Sequence, residues 1–370
     1  MFSIGDLNAA AALIAFTVAA LLIAVSLPLA PRLGLVDLPQ GRKDHAHPTP
    51  VVGGIAMLAA SAVAMLFVPG ETPSLWAFMA AACVIVVIGM YDDRNDVRWF
   101  WRLGVQALAA LVMVYWAGVR VQQVGPLLGV QSTGLGFLSV PFTVFATVGL
   151  INAMNMIDGC DGLAGSLAFA ALVMLCAAAM YAGNLLLADR TLVVAAAVAG
   201  FLLWNLRFPW RGRALTFMGD AGSGFLGLVI AWVAFRLTQN PGHPVSPVLA
   251  LWLLPIPVMD CLALIVRRLQ EGRSPFSAGR DHIHHLMADA GYTPMQIVVS
   301  LTAFSLLVGL LAAIGLLLDV PEYILFGAYL LMCLGWYLLT RHRERAVRFF
   351  MALRGAGDTP LPSEATERGS

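Results

Sequence analysis

Long apolar runs, separated by short polar segments, account for most of the sequence. Each run approaches the length of a helix that crosses a bilayer, which takes about 20 apolar residues to span about 30 Å of hydrocarbon. The runs cover residues 8–29, 51–68, 75–90, 103–118, 135–153, 163–182, 190–206, 221–238, 247–266, 295–318 and 322–340. This pattern predicts an all-α fold, a polytopic integral membrane helix bundle with about eleven transmembrane helices.

The amino-acid composition agrees with a membrane protein. The 370 residues are 60% hydrophobic and only 12% charged, and the mean hydropathy is +0.83, whereas soluble domains are about 25% charged. These values argue against a soluble, secreted, nucleic-acid-binding or disordered chain. The five cysteines form no CxxC pair, so neither a disulfide framework nor a zinc ribbon is indicated.

The basic residues predict the orientation of the bundle. With the N-terminus outside, the cytoplasmic segments are 30–50, 91–102, 152–162, 207–220, 267–294 and 341–370. These segments hold 19 of the 22 Lys and Arg residues, and the exceptions are Arg120, Arg190 and Arg236. Because cytoplasmic loops are enriched in Lys and Arg, we expect an outer (in a bacterium, periplasmic) N-terminus and a cytoplasmic C-terminus.

The same pattern predicts one transmembrane domain over residues 1–340 and a basic cytoplasmic tail over residues 341–370. The tail is expected to be disordered, because its last residues are mostly Gly, Pro, Thr, Ser and Glu. The first apolar run follows Asp6 and lacks the basic segment of a secretory signal. We therefore expect it to be retained as the first span.

Four clusters of acidic, amide or histidine residues lie on the predicted cytoplasmic side. They are Asp92-Asp93-Arg94-Asn95-Asp96, the segment from Asn152 to Gly162 with Asn155, Asp158 and Asp161, the segment Gly219-Asp220-Ala221-Gly222-Ser223-Gly224, and Arg280-Asp281-His282-Ile283-His284-His285. Ionisable residues are costly near hydrocarbon and are commonly functional when they cluster there. Since the orientation rests on apolar runs and basic residues alone, finding all four clusters on one face predicts a single shared centre.

The residue types in these clusters point to a divalent cation and to phosphate. Carboxylate and amide oxygens without thiolates suit a hard ion such as Mg²⁺, which usually takes one or two protein carboxylates and fills its shell with substrate phosphates. The Gly-rich segments lead into helices, whose free N–H groups and positive dipole ends attract phosphate. With Arg and His nearby, this combination at a membrane surface predicts phosphoryl transfer to or from a lipid.

The acidic clusters also have structural interpretations. Asp92, Asp93 and Asp96 can form a solvated helix end that caps the next helix, and Asp158 and Asp161 can be N-caps. Three acids flush against an apolar run, and two Asn with two Asp within ten residues, make capping alone the weaker interpretation.

The remaining polar residues leave further alternatives open. The histidine cluster can bind a transition metal, but it lacks the usual metal-binding spacing, and Arg280 beside it favours contacts with phosphate. The segment containing Lys43, His45 and His47 can be a basic interfacial loop. Asp260 is isolated within the ninth run, and we expect it to be a buried structural hydrogen bonder rather than a catalytic group.

These motifs resemble those of the polyprenyl-phosphate N-acetylhexosamine-1-phosphate transferase superfamily, integral membrane enzymes that begin bacterial cell-surface polysaccharide lipid intermediates. The resemblance covers most of the chain, and the motifs occur in the order found in the family. They are Gly41–His45 with Pro48–Gly54, Asp92-Asp93-x-x-Asp96, Asn152–Gly162, Met218–Ser223, and Ser274-Pro275-Phe276 with His282-Ile283-His284-His285. The last motif is similar to the branch that uses UDP-GlcNAc and undecaprenyl phosphate.

The resemblance implies transfer of GlcNAc-1-phosphate from UDP-GlcNAc to undecaprenyl phosphate, which yields undecaprenyl-diphospho-GlcNAc and UMP. This is the first membrane step of O-antigen and related polysaccharide synthesis. Relatives with other UDP-N-acetylamino sugars share most of the motifs, so another donor is an alternative. A divalent-cation transporter is the alternative from a different class, although transporters usually bind their substrates near the bilayer midplane.

Matching motif positions also implies roles for individual residues. Asp220 is the expected metal ligand with Asn155 as the second, and the expected cofactor is Mg²⁺, with Mn²⁺ as the alternative. The expected catalytic residues are Asp92 and Asp93, beside the acceptor phosphate, and Asp158 and Asp161, beside the donor. The expected substrate-binding residues are Lys43, Arg102, Arg280, His282, His284 and His285.

The resemblance further implies a multi-pass protein of the bacterial inner membrane with its active site on the cytoplasmic face. The expected partners are therefore the two substrates and the lipid bilayer, and a homodimer is compatible with the sequence. An acceptor phosphate monoester is mostly dianionic at neutral pH, because its second pKa is about 6. This favours single displacement, with an aspartyl-phosphate intermediate as the alternative.

Overall fold

The computed structural model describes residues 5, 7–38, 47–70, 72–95, 97–127, 129, 134–239, 245–275 and 279–355. Within these ranges the chain forms fifteen α-helices. They are α1 (Ala9–Ser26), α2 (Ala30–Leu33), α3 (Gly53–Met65), α4 (Pro73–Asn95), α5 (Trp99–Tyr115), α6 (Ser139–Ile157), α7 (Leu163–Tyr181), α8 (Leu185–Asn205), α9 (Gly219–Thr238), α10 (Pro247–Trp252), α11 (Pro255–Gln270), α12 (Ile283–Asp289), α13 (Pro294–Leu317), α14 (Glu322–Thr340) and α15 (Arg343–Leu353).

The predicted all-α membrane fold is confirmed. Among the described residues, eight helices are long and apolar enough to cross a membrane, and these are α1, α4, α6 with its preceding turn, α7, α8, α9, α13 and α14. The helices α3 and α5 are apolar but shorter, at 13 and 17 residues. The protein is therefore a multi-pass membrane protein, and the count of eleven spans stays a prediction.

The ninth apolar run forms two helices instead of one. The helix α10 ends at Trp252, and α11 begins at Pro255. Proline lacks the backbone N–H that a continuous helix would need and its ring clashes with the preceding turn. This explains why an apolar run of sufficient length is interrupted here.

The helix α9 lies at the centre of the bundle. Within its most apolar window 94% of the residues are buried, against 17% in α14, and α9 packs against α4 and α6 along their lengths. Gly89 of α4 permits close packing against α9 because it has no side chain. A β-carbon at this position would collide with the backbone of Ala221. The N-terminus of the most buried helix is thereby fixed next to the end of α4.

A short antiparallel sheet connects the polar segments at this end of the bundle. Its strands are β1 (Val36–Asp37) and β2 (Thr49–Pro50). The chain after β2 also pairs with the segment before α9, where the backbone N–H of Gly53 donates to the Phe217 carbonyl at 3.0 Å. These bonds fix the start of α9 relative to the start of α3.

The first part of the tail that was expected to be disordered is a helix. Arg343–Leu353 forms α15, which buries Ala346, Val347, Phe350 and Met351. This i, i+1, i+4, i+5 spacing gives the helix one apolar face, which a judgement from composition alone overlooked. The helix packs on α12, where Tyr292 Oη donates to the Phe350 carbonyl at 3.3 Å. Residues 356–370 lie outside the described ranges.

Candidate active site

The acidic clusters of three different segments meet at one end of the bundle. The backbone N–H of Asp220, at the start of α9, donates to Oδ1 of Asp93 at the end of α4, with a distance of 2.9 Å. Asn155 Nδ2, near the end of α6, donates to Oδ1 of Asp220. Residues far apart in sequence therefore share one site, as the orientation argument predicted.

One arginine connects two acids of this site, the buried Asp92 and the partly exposed Asp220. Arg102 Nη1 lies 2.7 Å from Oδ2 of Asp92 and 3.2 Å from Oδ2 of Asp220. Asp92 is only 5% exposed, and its Oδ1 also accepts from the Val97 backbone N–H at 2.6 Å. The guanidinium thus offsets the repulsion between two neighbouring carboxylates that would otherwise be costly to bury together.

The turn into α9 depends on a glycine. Gly219 has a φ of 67°, a conformation that residues with a side chain rarely adopt. A β-carbon at this position would also collide with Oδ2 of Asp93 and with Val51. Gly219 therefore allows the Asp220 backbone to reach Asp93.

These side chains surround a cleft between α4, α5, α6 and α9, which we call the carboxylate cleft. It is lined by Ile85, Ile88, Gly89, Asp92, Arg102, Gln106, Ile151, Asn152, Asn155, Asp220 and Gly224. The lining has an apolar part, formed by three isoleucines, and a polar part of acidic, amide and guanidinium groups. A phosphate at the end of an aliphatic chain has chemistry that matches both parts.

The donor atoms of the carboxylate cleft suit a magnesium ion. The side chains of Asp92, Asp220, Asn155 and the neighbouring Ser223 each carry oxygen, which a hard divalent cation prefers, and Asn155 Nδ2 donates to Asp220 and Ser223 in this structure. The described part of the chain holds no group of three or more His, Cys, Asp or Glu that could bind a metal by themselves. Such a site matches Mg²⁺ held by one or two carboxylates together with substrate phosphates.

A second space, which we call the histidine cavity, adjoins the α6–α7 connection. It has a volume of about 580 Å³. It is lined by Asp37, Asp158, Gly159, Cys160, Asp161, Asn205, Arg207, Phe217, His284, His285, Ala288, Tyr292, Pro294 and Ile297. The predicted donor-side residues Asp158, His284 and His285 therefore face one space, although they come from separate segments.

Asp158 is poised to change its charge near neutral pH. Burial, together with the nearby carboxylates of Asp93 and Asp161, raises the pKa of this carboxyl to about 7. Asp93 also accepts a hydrogen bond from the backbone N–H of Asp220, which lines the carboxylate cleft. The two spaces are thus electrostatically connected through Asp93.

Asp161 makes contacts that hold a loop in place. Its Oδ2 accepts from Arg207 Nε at 2.7 Å and from the Ala214 backbone N–H at 3.0 Å. The carboxylate thereby connects the α6–α7 turn to the segment between α8 and α9. The predicted catalytic role of Asp161 stays a prediction, and these contacts favour a positioning role.

His284 is buried against a glycine. Its side chain belongs to a residue only 3% exposed, and neither ring nitrogen has a hydrogen-bond partner among the described residues. A β-carbon on Gly159 would collide with its Nε2. Burial holds the pKa of His284 well below its usual range, with further lowering from His285, His282 and Arg280.

His282 occupies a different environment from its two neighbours. It is absent from the cavity lining, and its Nδ1 lies 2.9 Å from Oδ2 of Asp260. Asp260 is 3% exposed and also accepts from the Ile283 backbone N–H at 3.1 Å. These contacts agree with the expectation that Asp260 is a buried structural hydrogen bonder.

Some predicted residues are not placed in either space. Lys43, Asp96 and Phe276 lie outside the described residues. Arg280 lies next to the histidine segment, where its carbonyl accepts from Arg343 Nη1 at 2.7 Å. The side chain of Arg280 also acts on the charge of His284. Contact of Arg280 with a substrate stays a prediction.

The structure adds residues that the motifs did not single out. Gln106 Oε1 accepts from Asn152 Nδ2 at 2.7 Å in the carboxylate cleft, and Arg207 lines the histidine cavity. Both had a signal in the sequence, because Gln106 is a polar residue within an apolar run and Arg207 directly follows one. Their partners are distant in sequence and could not be deduced from it.

Comparison with known proteins matches this chain to one family. Residues 75–238 match the model of glycosyl transferase family 4, a range that contains most of the carboxylate cleft. The chain is also similar to several curated bacterial proteins named undecaprenyl-phosphate alpha-N-acetylglucosaminyl 1-phosphate transferase.

The similarity to these relatives extends over nearly the whole chain. The protein of Yersinia pestis is 36% identical over 326 residues, which are 88% of this chain and 89% of the relative. That of Escherichia coli K12 is 37% identical over 333 residues, with the same coverage. That of Haemophilus influenzae is 34% identical and covers 92% of this chain and 96% of its own length.

Proposed function

The chain belongs to glycosyl transferase family 4, and we propose that it transfers GlcNAc-1-phosphate from UDP-GlcNAc to undecaprenyl phosphate. The products are undecaprenyl-diphospho-GlcNAc and UMP. The names of the matched relatives support this proposal for the transferred group and for the lipid acceptor. Nothing in these matches supports the alternative of divalent-cation transport.

The observation that carries the proposal is the adjacency of two chemically different spaces. The carboxylate cleft combines an apolar wall with Arg102 and acidic groups, and the histidine cavity is large and polar. Asp93 connects them through a hydrogen bond from Asp220 of the cleft and an electrostatic effect on Asp158 of the cavity. A lipid phosphate in the cleft would meet the diphosphate of a nucleotide sugar in the cavity.

On the acceptor side, Arg102 is the cation that would bind the lipid phosphate. Its guanidinium already lies between the carboxylates of Asp92 and Asp220, so Asp92 fixes its position. Asp220 and Asn155 would hold Mg²⁺, with the Asn155 amide turned so that its oxygen replaces the Nδ2 that now faces Asp220. When bound, the metal would supply the positive charge needed to bring two phosphate anions together.

On the donor side, His285 and Arg207 would contact the diphosphate or the sugar, together with His284. Arg207 is fixed by its ion pair with Asp161, and His284 has two ring nitrogens without a protein partner in the described chain. Buried polar groups are normally hydrogen-bonded. A bound donor would satisfy the His284 ring that the protein leaves unsatisfied.

The reaction would exchange one phosphoanhydride for another. An oxygen of the lipid phosphate would attack the β-phosphorus of UDP-GlcNAc, the bond from that phosphorus to the bridging oxygen would break, and UMP would leave with the bonding electrons. The bond between sugar and oxygen is kept, so the anomeric configuration is retained. We favour this single displacement because the acceptor is already anionic at neutral pH.

We also propose that the site faces the cytoplasm from the inner membrane of a bacterium. The concentration of basic residues in the segments at this end of the bundle supports the orientation. UDP-sugars are made in the cytoplasm, so a donor cavity at this face would have direct access to its substrate.

Release of UMP by the purified protein tests the proposal. The full-length chain in detergent would be given undecaprenyl phosphate, Mg²⁺ and one of several UDP-sugars in parallel reactions. We expect UMP release to require the lipid and the metal and to be fastest with UDP-GlcNAc. Faster release with another UDP-N-acetylamino sugar would support the alternative donor, and no UMP with any of them would contradict the transferase.

A further inference from the structure

A buried pair outside the histidine cavity connects α11 to the histidine segment. Asp260 accepts from His282 Nδ1 at 2.9 Å through Oδ2 and from the Ile283 backbone N–H at 3.1 Å through Oδ1. Because a carboxylate can only accept, the pair places the proton of His282 on Nδ1. The carboxylate thereby fixes both the ring of His282 and the backbone at the start of α12.

The three imidazole rings of this segment are in mutual contact. His282 and His284 are stacked, with ring centroids 5.6 Å apart and planes 14° apart, and His284 and His285 have centroids 4.2 Å apart. Only His284 and His285 line the histidine cavity. Asp260 therefore fixes the ring of His282, which does not line the cavity but contacts the two rings that do.

We propose that Asp260 is a positioning residue for donor binding, which acts by fixing His282 and, through the stacked rings, the orientation of His284 and His285. The inference rests on the proposed function, because the ligand of the cavity is taken to be UDP-GlcNAc. It assigns His282 a supporting role, in contrast to the direct substrate contact expected from the motif.

The physical reason is preorganisation. A hydrogen bond to one nitrogen of an imidazole fixes its tautomer and the orientation of the ring. Without Asp260 the three rings can adopt other rotamers, and the donor must order them when it binds. The loss should therefore weaken donor binding more than the chemical step or acceptor binding.

The substitution Asp260→Asn tests the role of the carboxylate. The amide keeps an oxygen for Ile283 but directs N–H groups at the protonated Nδ1 of His282. We expect the KM for UDP-GlcNAc to rise about tenfold, which corresponds to about 1.4 kcal/mol, while kcat changes less than about threefold and the KM for undecaprenyl phosphate stays constant. An unchanged donor KM, or an equal rise in both KM values, would overturn the inference.

A matched control is available on α8. Asp189 accepts from the Asn8 backbone N–H at 2.8 Å and lies 16 residues before the end of α8 at Asn205, about 24 Å along the helix. Asp189→Asn replaces a carboxylate that accepts a backbone hydrogen bond away from the site, and should leave both KM values and kcat unchanged.

Two substitutions of His282 separate support from direct contact. Both His282→Asn and His282→Ala remove the ring that stacks on His284, and only His282→Asn keeps a donor to Asp260. Because the stacked ring carries the effect, we expect both variants to raise the donor KM to within about threefold of that of Asp260→Asn. A much larger rise from the His282 substitutions than from Asp260→Asn would show that His282 itself contacts the donor, and would overturn the supporting role.

Two further measurements make the result decisive. Combining Asp260→Asn with His282→Ala should cost no more than either change alone, because both disrupt one interaction. Fully additive losses, or a loss of kcat that follows the fraction of unfolded protein in detergent, would overturn the inference. Absence of UMP release by the wild type would instead contradict the proposed function, so the two failures are distinguishable.

Discussion

The carboxylate cleft and the histidine cavity adjoin each other, yet the protein satisfies their polar groups to very different degrees. In the cleft, Asp92 and Asp220 share Arg102, and Asn155 donates to Asp220. In the cavity, the two ring nitrogens of His284 are buried without a hydrogen-bond partner among the described residues, and Asp158 has a raised pKa. The polar side chains of the cleft are hydrogen-bonded to one another. In the cavity, the His284 ring is left for a ligand to bond with.

This difference follows from how the two spaces are built. The cleft is formed by the ends of packed helices, α4, α5, α6 and α9, so its side chains are positioned by the bundle itself. The cavity is formed mainly by connecting segments and by α12, which are anchored by contacts such as Asp161 with Arg207. We therefore expect changes in the cleft to act on the reaction and changes in the cavity to act on donor binding.

The largest expected effect is that of Asp220→Ala. The substitution removes a proposed metal ligand and the acceptor for both Asn155 and Arg102, so kcat should fall by about 10³-fold or more. UMP release across a Mg²⁺ titration measures it, with Asp220→Asn as a less disruptive companion. Near-normal turnover at any Mg²⁺ concentration would remove Asp220 from the proposed metal site.

Arg102→Ala should have the next largest effect. It removes the cation shared by two carboxylates, so the acceptor phosphate would meet uncompensated negative charge and kcat should fall about 10²-fold. Arg102→Lys retains the charge but not the planar fork that reaches two acids, and should recover part of the rate. If the donor KM changed instead of kcat, the division between the two spaces would be wrong.

His284→Ala should weaken donor binding and leave kcat nearly unchanged. Because the ring lines the cavity, the KM for UDP-GlcNAc should rise about tenfold to thirtyfold with kcat within about threefold of the wild type. Initial rates with each substrate varied in turn measure both constants. A fall in kcat at a constant donor KM would place His284 in the chemical step.

The smallest expected effect is a dependence of donor binding on pH. Asp158 has a pKa raised from 3.8 to about 7, so it is protonated below that pH and ionised above it. The ionised carboxylate repels the diphosphate, and metal-free binding of UDP-GlcNAc should weaken about fivefold between pH 6 and pH 8, or about 1 kcal/mol. Calorimetry in EDTA measures the affinity.

Asp158→Asn is the control for this pH dependence. Any other group that titrates over this range affects both proteins alike, so only the difference between wild type and variant belongs to Asp158. The variant should retain its pH 6 affinity more fully at pH 8. Identical pH profiles for the two proteins would contradict the assignment.

Much of the bundle could be predicted because a spanning helix requires a long apolar run, a local property of the sequence. The eight long apolar helices follow directly from it. The break between α10 and α11 could not be predicted in the same way, although Pro255 lies within the run. An apolar run does not show whether a proline interrupts a helix or begins one. The amphipathic spacing of α15 was likewise hidden by a polar composition.

The site was predictable at the level of clusters but not of pairs. Membrane topology places Asp92, Asn155 and Asp220 at one end of the helices, and the structure brings them into contact. The partners of Asp161 and His282 are separated from them by 46 and 22 residues. Such pairs depend on the packing of segments whose relative positions no local pattern specifies.

The position of α15 has a consequence for how the protein is made. Arg343 donates to the carbonyl of Arg280, and α15 packs on α12, so the helix nearest the end of the described chain supports the histidine segment. During translation the acidic residues leave the ribosome long before this helix does. The contacts that support the histidine segment from α15 therefore form last, after residues 343–353 have emerged.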